Sequence, residues 1–86
     1  MRTIVFARKA AREFDALDLT VRQRIETALD QFAVDPLALQ SQIKRLKGDM
    51  AMRLRVGDWR IIFDLTHDEI VVLAVAHRRE VYRSEP

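Results

Sequence analysis

Hydrophobic and polar residues alternate from Ala51 to Val56, with Met52, Leu54 and Val56 in one phase and Ala51, Arg53 and Arg55 in the other. A period of two marks a strand with one buried face. Gly57-Asp58 predicts a two-residue hairpin turn into a second strand, Trp59 to Leu65. That turn sets Val56 opposite Trp59, Arg55 opposite Arg60, Leu54 opposite Ile61 and Arg53 opposite Ile62. Arg53, Arg55 and Arg60 then share one face, and Trp59, Ile61 and Phe63 share the other with Leu54 and Met52. After a polar turn at Thr66 to Glu69, the stretch Ile70 to Ala76 is apolar in both phases, as expected of a central strand covered on both faces.

The first half of the chain changes period. Thr3 to Phe6 is a short β-branched and aromatic run, read as a strand. From Ala7 the apolar positions Ala7, Ala10, Ala11, Phe14 and Leu17 recur at helical spacing, with Arg8, Lys9, Arg12, Glu13 and Asp15 between them. Leu17 and Asp18 break this helix. Thr20 and Gln23 predict a capping box for a second helix, whose stripe is Val21, Ile25, Ala28, Leu29 and Phe32 and whose end falls by Asp35-Pro36. Residues 37–49 form a connector. Its start could be a helical turn, Ile43 to Leu46 could be a short strand or extended chain, and Gly48 permits a turn. The expected fold is therefore α+β, in the order β-α-α-β-β-β, with a helical hairpin packed on one face of an antiparallel twisted sheet.

Charge sharpens this picture. Residues 1–42 are balanced, whereas residues 43–60 carry Lys44, Arg45, Lys47, Arg53, Arg55 and Arg60 against only Asp49 and Asp58. Residues 61–75 hold only acidic charge, and the C-terminal run A-H-R-R-E-V-Y-R, residues 76–83, brings His77, Arg78, Arg79, Tyr82 and Arg83 to one end of the sheet. Twelve of the fifteen basic residues are arginine, the side chain suited to bidentate contact with phosphate. Two arginines directly opposite repel, where an opposite-charge pair would add roughly 0.2 to 1 kcal/mol. Either an anion sits on the cluster, or the arginine stems cover apolar surface with their heads fanned into water. A phosphate-rich or acidic partner follows from the first alternative.

Composition excludes other chemistries. Eighty-six residues suit a single domain spanning 1–86. The chain has no cysteine, so no disulfide framework or thiolate site is available, and its two histidines do not make a metal set. The N-terminal apolar run is too short for a signal peptide and no stretch approaches a membrane span, which leads to the expectation of a cytoplasmic protein. No nucleophile pair, phosphate-cradling glycine loop or carboxylate dyad is recognisable, and no cofactor is expected.

The runs K-R-L-K-G-D at 44–49, M-R-L-R-V-G-D-W-R-I-I-F at 52–63 and V-L-A-V-A-H-R-R-E-V-Y-R at 72–83 resemble the RelE/ParE superfamily of bacterial type II toxin–antitoxin systems. The helical first half fits that superfamily in order and size. RelE-type members cleave mRNA on the ribosome and ParE-type members inhibit DNA gyrase; the terminal arginine and tyrosine favour the RelE-type side. The resemblance implies that Arg60 stabilises charge on the scissile phosphate and that Arg53 contacts the phosphate or helps activate the nucleophile. It implies that Arg78 serves as acid for the leaving group and that a base stacks on Tyr82. The clustering of basic charge adds Lys44, Arg45, Lys47, Arg55, Arg79 and Arg83 as candidate RNA or phosphate contacts. The segment between Arg78 and Tyr82 is shorter than in the best-known members. The superfamily's basic lysine, two residues before the Arg53 position, is Ala51 here. His77 is a candidate substitute, because histidine is the side chain that exchanges a proton near neutral pH.

The reaction so implied is a metal-free attack of a ribose 2′-hydroxyl on the adjacent phosphate, giving a 2′,3′-cyclic phosphate and a 5′-hydroxyl. Its transition state needs preorganised positive charge. The implied partners are mRNA on the ribosome and a cognate antitoxin, in a heterodimer or heterotetramer. A gyrase inhibitor, or a silent homologue that only binds its antitoxin, is the alternative, and Ala51 favours it.

Overall fold

In the computed structural model the described residues are 1–46 and 51–80. The hairpin forms in the register that alternation predicts: β3 (Met52–Val56) and β4 (Trp59–Leu65) pair antiparallel, with Val56 opposite Trp59, Arg55 opposite Arg60, Leu54 opposite Ile61 and Arg53 opposite Ile62. Gly57 has φ 59° and Asp58 does not have positive φ, the signs of a type II′ turn, which needs glycine at its first central position. A Cβ on Gly57 would also lie 3.0 Å from the Arg24 guanidinium.

Around the hairpin lie β1 (Thr3–Phe6), β2 (Ile43–Arg45) and β5 (Glu69–His77), in the sheet order β1-β5-β4-β3-β2. Four strands form an antiparallel meander in which Ile43 to Arg45 is the short edge strand. The sheet departs from the expected one in two respects: β2 forms, giving four strands after the helices rather than three, and β1 runs parallel to β5, with Ile4 opposite Ile70 and Phe6 opposite Val72. A parallel pair is joined by no turn, so no local signal in Thr3 to Phe6 announces its direction. Between β4 and β5 the ladder slips at Ile62/Phe63: Ile62 pairs with Ala74 but Phe63 with Val72, leaving Leu73 as the extra residue of a bulge. The bulge brings Val72 and Val75, three residues apart, to the same buried face.

Two helices cover that face, α1 (Arg8–Asp15) and α2 (Leu19–Val34). Ala10, Ile25, Leu29 and Phe32 close over Leu54, Ile61, Phe63, Ile70, Val72 and Val75 in one core, with Phe6 against Phe14 and Phe32 edge-on to Phe63. α1 packs chiefly on β5, whereas α2 is shared between the segment that follows it and the strands β1 and β3. The capping box expected at Thr20 is not formed: α2 begins two residues earlier, with Asp18 as its N-cap residue and its carbonyl accepting the Arg22 N–H, so Thr20 already lies within the helix. Past the end of β1, the free edge of β5 is met by a side chain, as the Glu13 carboxylate accepts the Val75 N–H at 2.9 Å. α2 stops before Pro36, and a 3₁₀ segment, Pro36–Gln42, opened by Asp35 accepting the Leu37 N–H, carries the chain to β2. Among the described residues no helix is long and apolar enough to cross a membrane.

Two stability measurements check this architecture by denaturant unfolding. Leu29→Ala, in the core, is expected to cost about 2 to 5 kcal/mol, whereas Val34→Ala, at an exposed position of the same helix, should stay within about 0.5 kcal/mol. Gly57→Ala should cost about 1 to 2 kcal/mol from its left-handed backbone alone.

Candidate functional site

The helices leave the second face of the sheet uncovered by α1 or α2, and there the hairpin's other phase places Arg53, Arg55 and Arg60. In β2, Lys44 stands opposite Arg53 and so joins them, whereas Arg45 stands opposite Met52 in the helix-side phase. The face is not flat. A cleft of about 170 Å³ opens between β2, the end of the 3₁₀ segment and the hairpin, lined by Ser41, Gln42, Ile43, Lys44, Arg53, Arg55 and Arg60.

The four cations differ in how they are held. Lys44 and Arg55 are exposed and Arg53 is half-buried, while Arg60 is only 8% exposed. One terminal nitrogen of Arg60, Nη1, donates to the Gly57 carbonyl at 2.9 Å and to the Trp59 carbonyl at 3.0 Å. Both acceptors are neutral, and among the described residues no carboxylate is ion-paired with Arg60. Burying a guanidinium is costly unless its donors are satisfied. Here carbonyl dipoles orient it while leaving its charge uncancelled, and the remaining N–H groups of its planar fork can serve a second acceptor such as phosphate.

The C-terminal cluster splits at the end of β5. His77 pairs with Trp59, in the phase of Ile61 and Phe63, and its ring meets the Trp59 ring edge-on at 5.3 Å. That phase faces the helices, so the structure does not bring His77 to the arginine cleft. Its Nδ1 instead accepts the Arg79 N–H at 3.3 Å. Arg78, one residue on, is tied to the hairpin turn: its N–H donates to the Asp58 carbonyl at 2.8 Å, and its Nε lies 3.7 Å from the Asp58 carboxylate. The Arg79 residue is exposed. Ala51 is buried and brings no polar group to the cleft. Lys47, Tyr82 and Arg83 lie outside the described residues. The sequence reading did not pick out Ser41 and Gln42, which arrive from the connector, or Asp58, which holds Arg78. The polar run Gln40-Ser41-Gln42 directly before a strand was the available signal for the first two.

Residues 4–82 match the family model of the ParE toxin of type II toxin–antitoxin system, parDE. No curated protein matches the sequence. Among solved structures, a chain of the RelB–RelE antitoxin–toxin complex from Methanococcus jannaschii is 27% identical, with a TM-score of 0.76 over 95% of this chain and 99% of that one. A chain of the toxin–antitoxin complex RelBE2 from Mycobacterium tuberculosis is 26% identical, with a TM-score of 0.62 over 90% of this chain and 98% of that one. The isolated RelE toxin of E. coli shares the fold at 17% identity, with a TM-score of 0.74 over 96% and 98% of the two chains. A match to the family model over nearly the whole chain, on a RelE-like sheet and helix pair, establishes that this chain belongs to the ParE toxin family of type II toxin–antitoxin systems, within the RelE/ParE superfamily.

Proposed function

We propose that this toxin is an endoribonuclease that cuts mRNA on the ribosome and is neutralised by a cognate antitoxin. The observation that carries the reading is Arg60: buried, oriented by two carbonyls, uncancelled by a carboxylate among the described residues, and set in the wall of a cleft with Lys44, Arg53 and Arg55. Such a site suits a phosphate whose charge rises during reaction. When a ribose 2′-hydroxyl attacks the phosphorus, its proton passes to water, the P–O5′ bond breaks, a 2′,3′-cyclic phosphate forms and the 5′-oxygen takes a proton from water as it leaves. The extra negative charge on the non-bridging oxygens is met by the Arg60 fork, and Arg53 with Lys44 holds the same strand from across the cleft. A guanidinium does not release its proton in a protein. The role of Arg78 is therefore to hydrogen-bond the leaving oxygen as it gains charge. Solved relatives occur in antitoxin–toxin complexes, which supports an antitoxin as the partner of this chain in a heterodimer or heterotetramer.

A second reading is a gyrase-directed toxin. The family model is that of ParE toxins, and no imidazole or carboxylate lines the described cleft, so no obvious proton acceptor stands beside the arginines.

Primer extension on a reporter mRNA after brief induction, with a gyrase supercoiling assay in parallel, separates the two. Cuts confined to translated regions are expected, reduced on the order of 10² to 10³ in Arg60→Ala and retained in His77→Ala. Intact mRNA together with inhibited supercoiling would establish the gyrase-directed reading instead. The face itself is checked by binding of a single-stranded RNA oligonucleotide over a salt series. Lys44→Gln or Arg55→Gln should each lower the slope of log affinity against log salt by about 0.7, and Arg45→Gln, in the opposite phase, should leave it unchanged.

A further inference from the structure

We propose that Asp58 is a positioning residue that aims Arg78 at the phosphate held by Arg60; this rests on the endoribonuclease reading above. The β4–β5 ladder pairs Trp59 with His77, and the Arg78 N–H bond to the Asp58 carbonyl extends it by one step. Arg78 opens the helical segment that follows β5, directly beside the two-residue turn whose Gly57 carbonyl also holds Arg60.

One turn thus meets both arginines. The Gly57 carbonyl accepts from the Arg60 guanidinium at 2.9 Å, the Asp58 carbonyl accepts the Arg78 main-chain N–H at 2.8 Å, and the Asp58 carboxylate lies 3.7 Å from Arg78 Nε as an ion pair. The carboxylate approaches Arg78 through Nε, which leaves the two terminal nitrogens available to an oxygen anion. Asp58 and Arg78 have side chains 64% and 51% exposed, and an exposed ion pair adds little to stability. A carboxylate beside an anion site also opposes anion binding. An acidic group that stabilises little and repels the ligand is accounted for by the geometry it imposes on its partner.

The test separates affinity from turnover, using mRNA on purified ribosomes. Asp58→Asn should bind at least as tightly as the parent, since it removes a repelling charge, yet cleave on the order of 10- to 10²-fold more slowly at saturation, with an unchanged thermal midpoint. Asp58→Glu should recover part of the rate. In an Arg78→Ala background Asp58→Asn should slow cleavage no further. An unchanged saturated rate in Asp58→Asn, or an equal loss in both backgrounds, overturns the proposal. A parent that cleaves no RNA overturns the endoribonuclease reading instead, and the positioning role is then judged by the arginine Nε–Hε resonances of the free protein. Asp58→Asn should move that of Arg78 and leave that of Arg60 in place, and an unmoved Arg78 resonance rejects the clamp.

Discussion

The Arg60 guanidinium is almost wholly withdrawn from water, yet the groups that accept its N–H bonds are the neutral carbonyls of Gly57 and Trp59. Water is replaced by fixed dipoles, and among the described residues no carboxylate cancels the charge. For this to hold, the turn must present both carbonyls inward. That requires a left-handed residue at position 57, the two-residue connection of a II′ hairpin, and a register that places Arg60 away from the helices. The cross-strand repulsion of Arg55 and Arg60 is part of the same arrangement, because a pair of like charges on a strand face is relieved by a shared counter-anion.

The remainder of the fold keeps that hairpin still. The residues alternating with the arginines, Leu54, Ile61 and Phe63, are fully buried beneath Ile25, Leu29 and Phe32. Cations built on central strands of a packed sheet have their backbone fixed by main-chain ladders on both sides, which gives a binding face more definition than a loop would. Where a ladder fails, side chains substitute: Glu13 takes the Val75 N–H beyond the end of β1, so the edge of β5 is not left open beside the core.

Much of this was legible in the sequence because it is local. The period-two run, the Gly57-Asp58 turn and the pairing of Arg55 with Arg60 follow from residues close together in the chain, and the helical stripe from Val21 to Phe32 follows from a single period. What was not legible depends on distant partners. The parallel direction of β1 is set by β5, more than sixty residues on. The arrival of Ser41 and Gln42 at the cleft depends on a connector with no strong period, and the N-cap of α2 falls at Asp18, whose side chain makes no cap hydrogen bond, rather than at Thr20. The sorting of the basic residues 44 and 45 onto opposite faces became visible only once β2 was paired with β3.

The extra residue at Leu73 acts on the parity of β5. Counting by twos from the buried pair Ile70 and Val72 would send Ala74 and Ala76 toward the helices and turn His77 outward beside the arginines. Inserting one residue inverts the assignments from Ala74 to His77, so the imidazole is turned away from the cationic face. The direction in which His77 faces is thus decided by a backbone irregularity four residues away and not by which residues the chain contains. Chains with the same terminal H-R-R motif but a different bulge count would expose different chemistry.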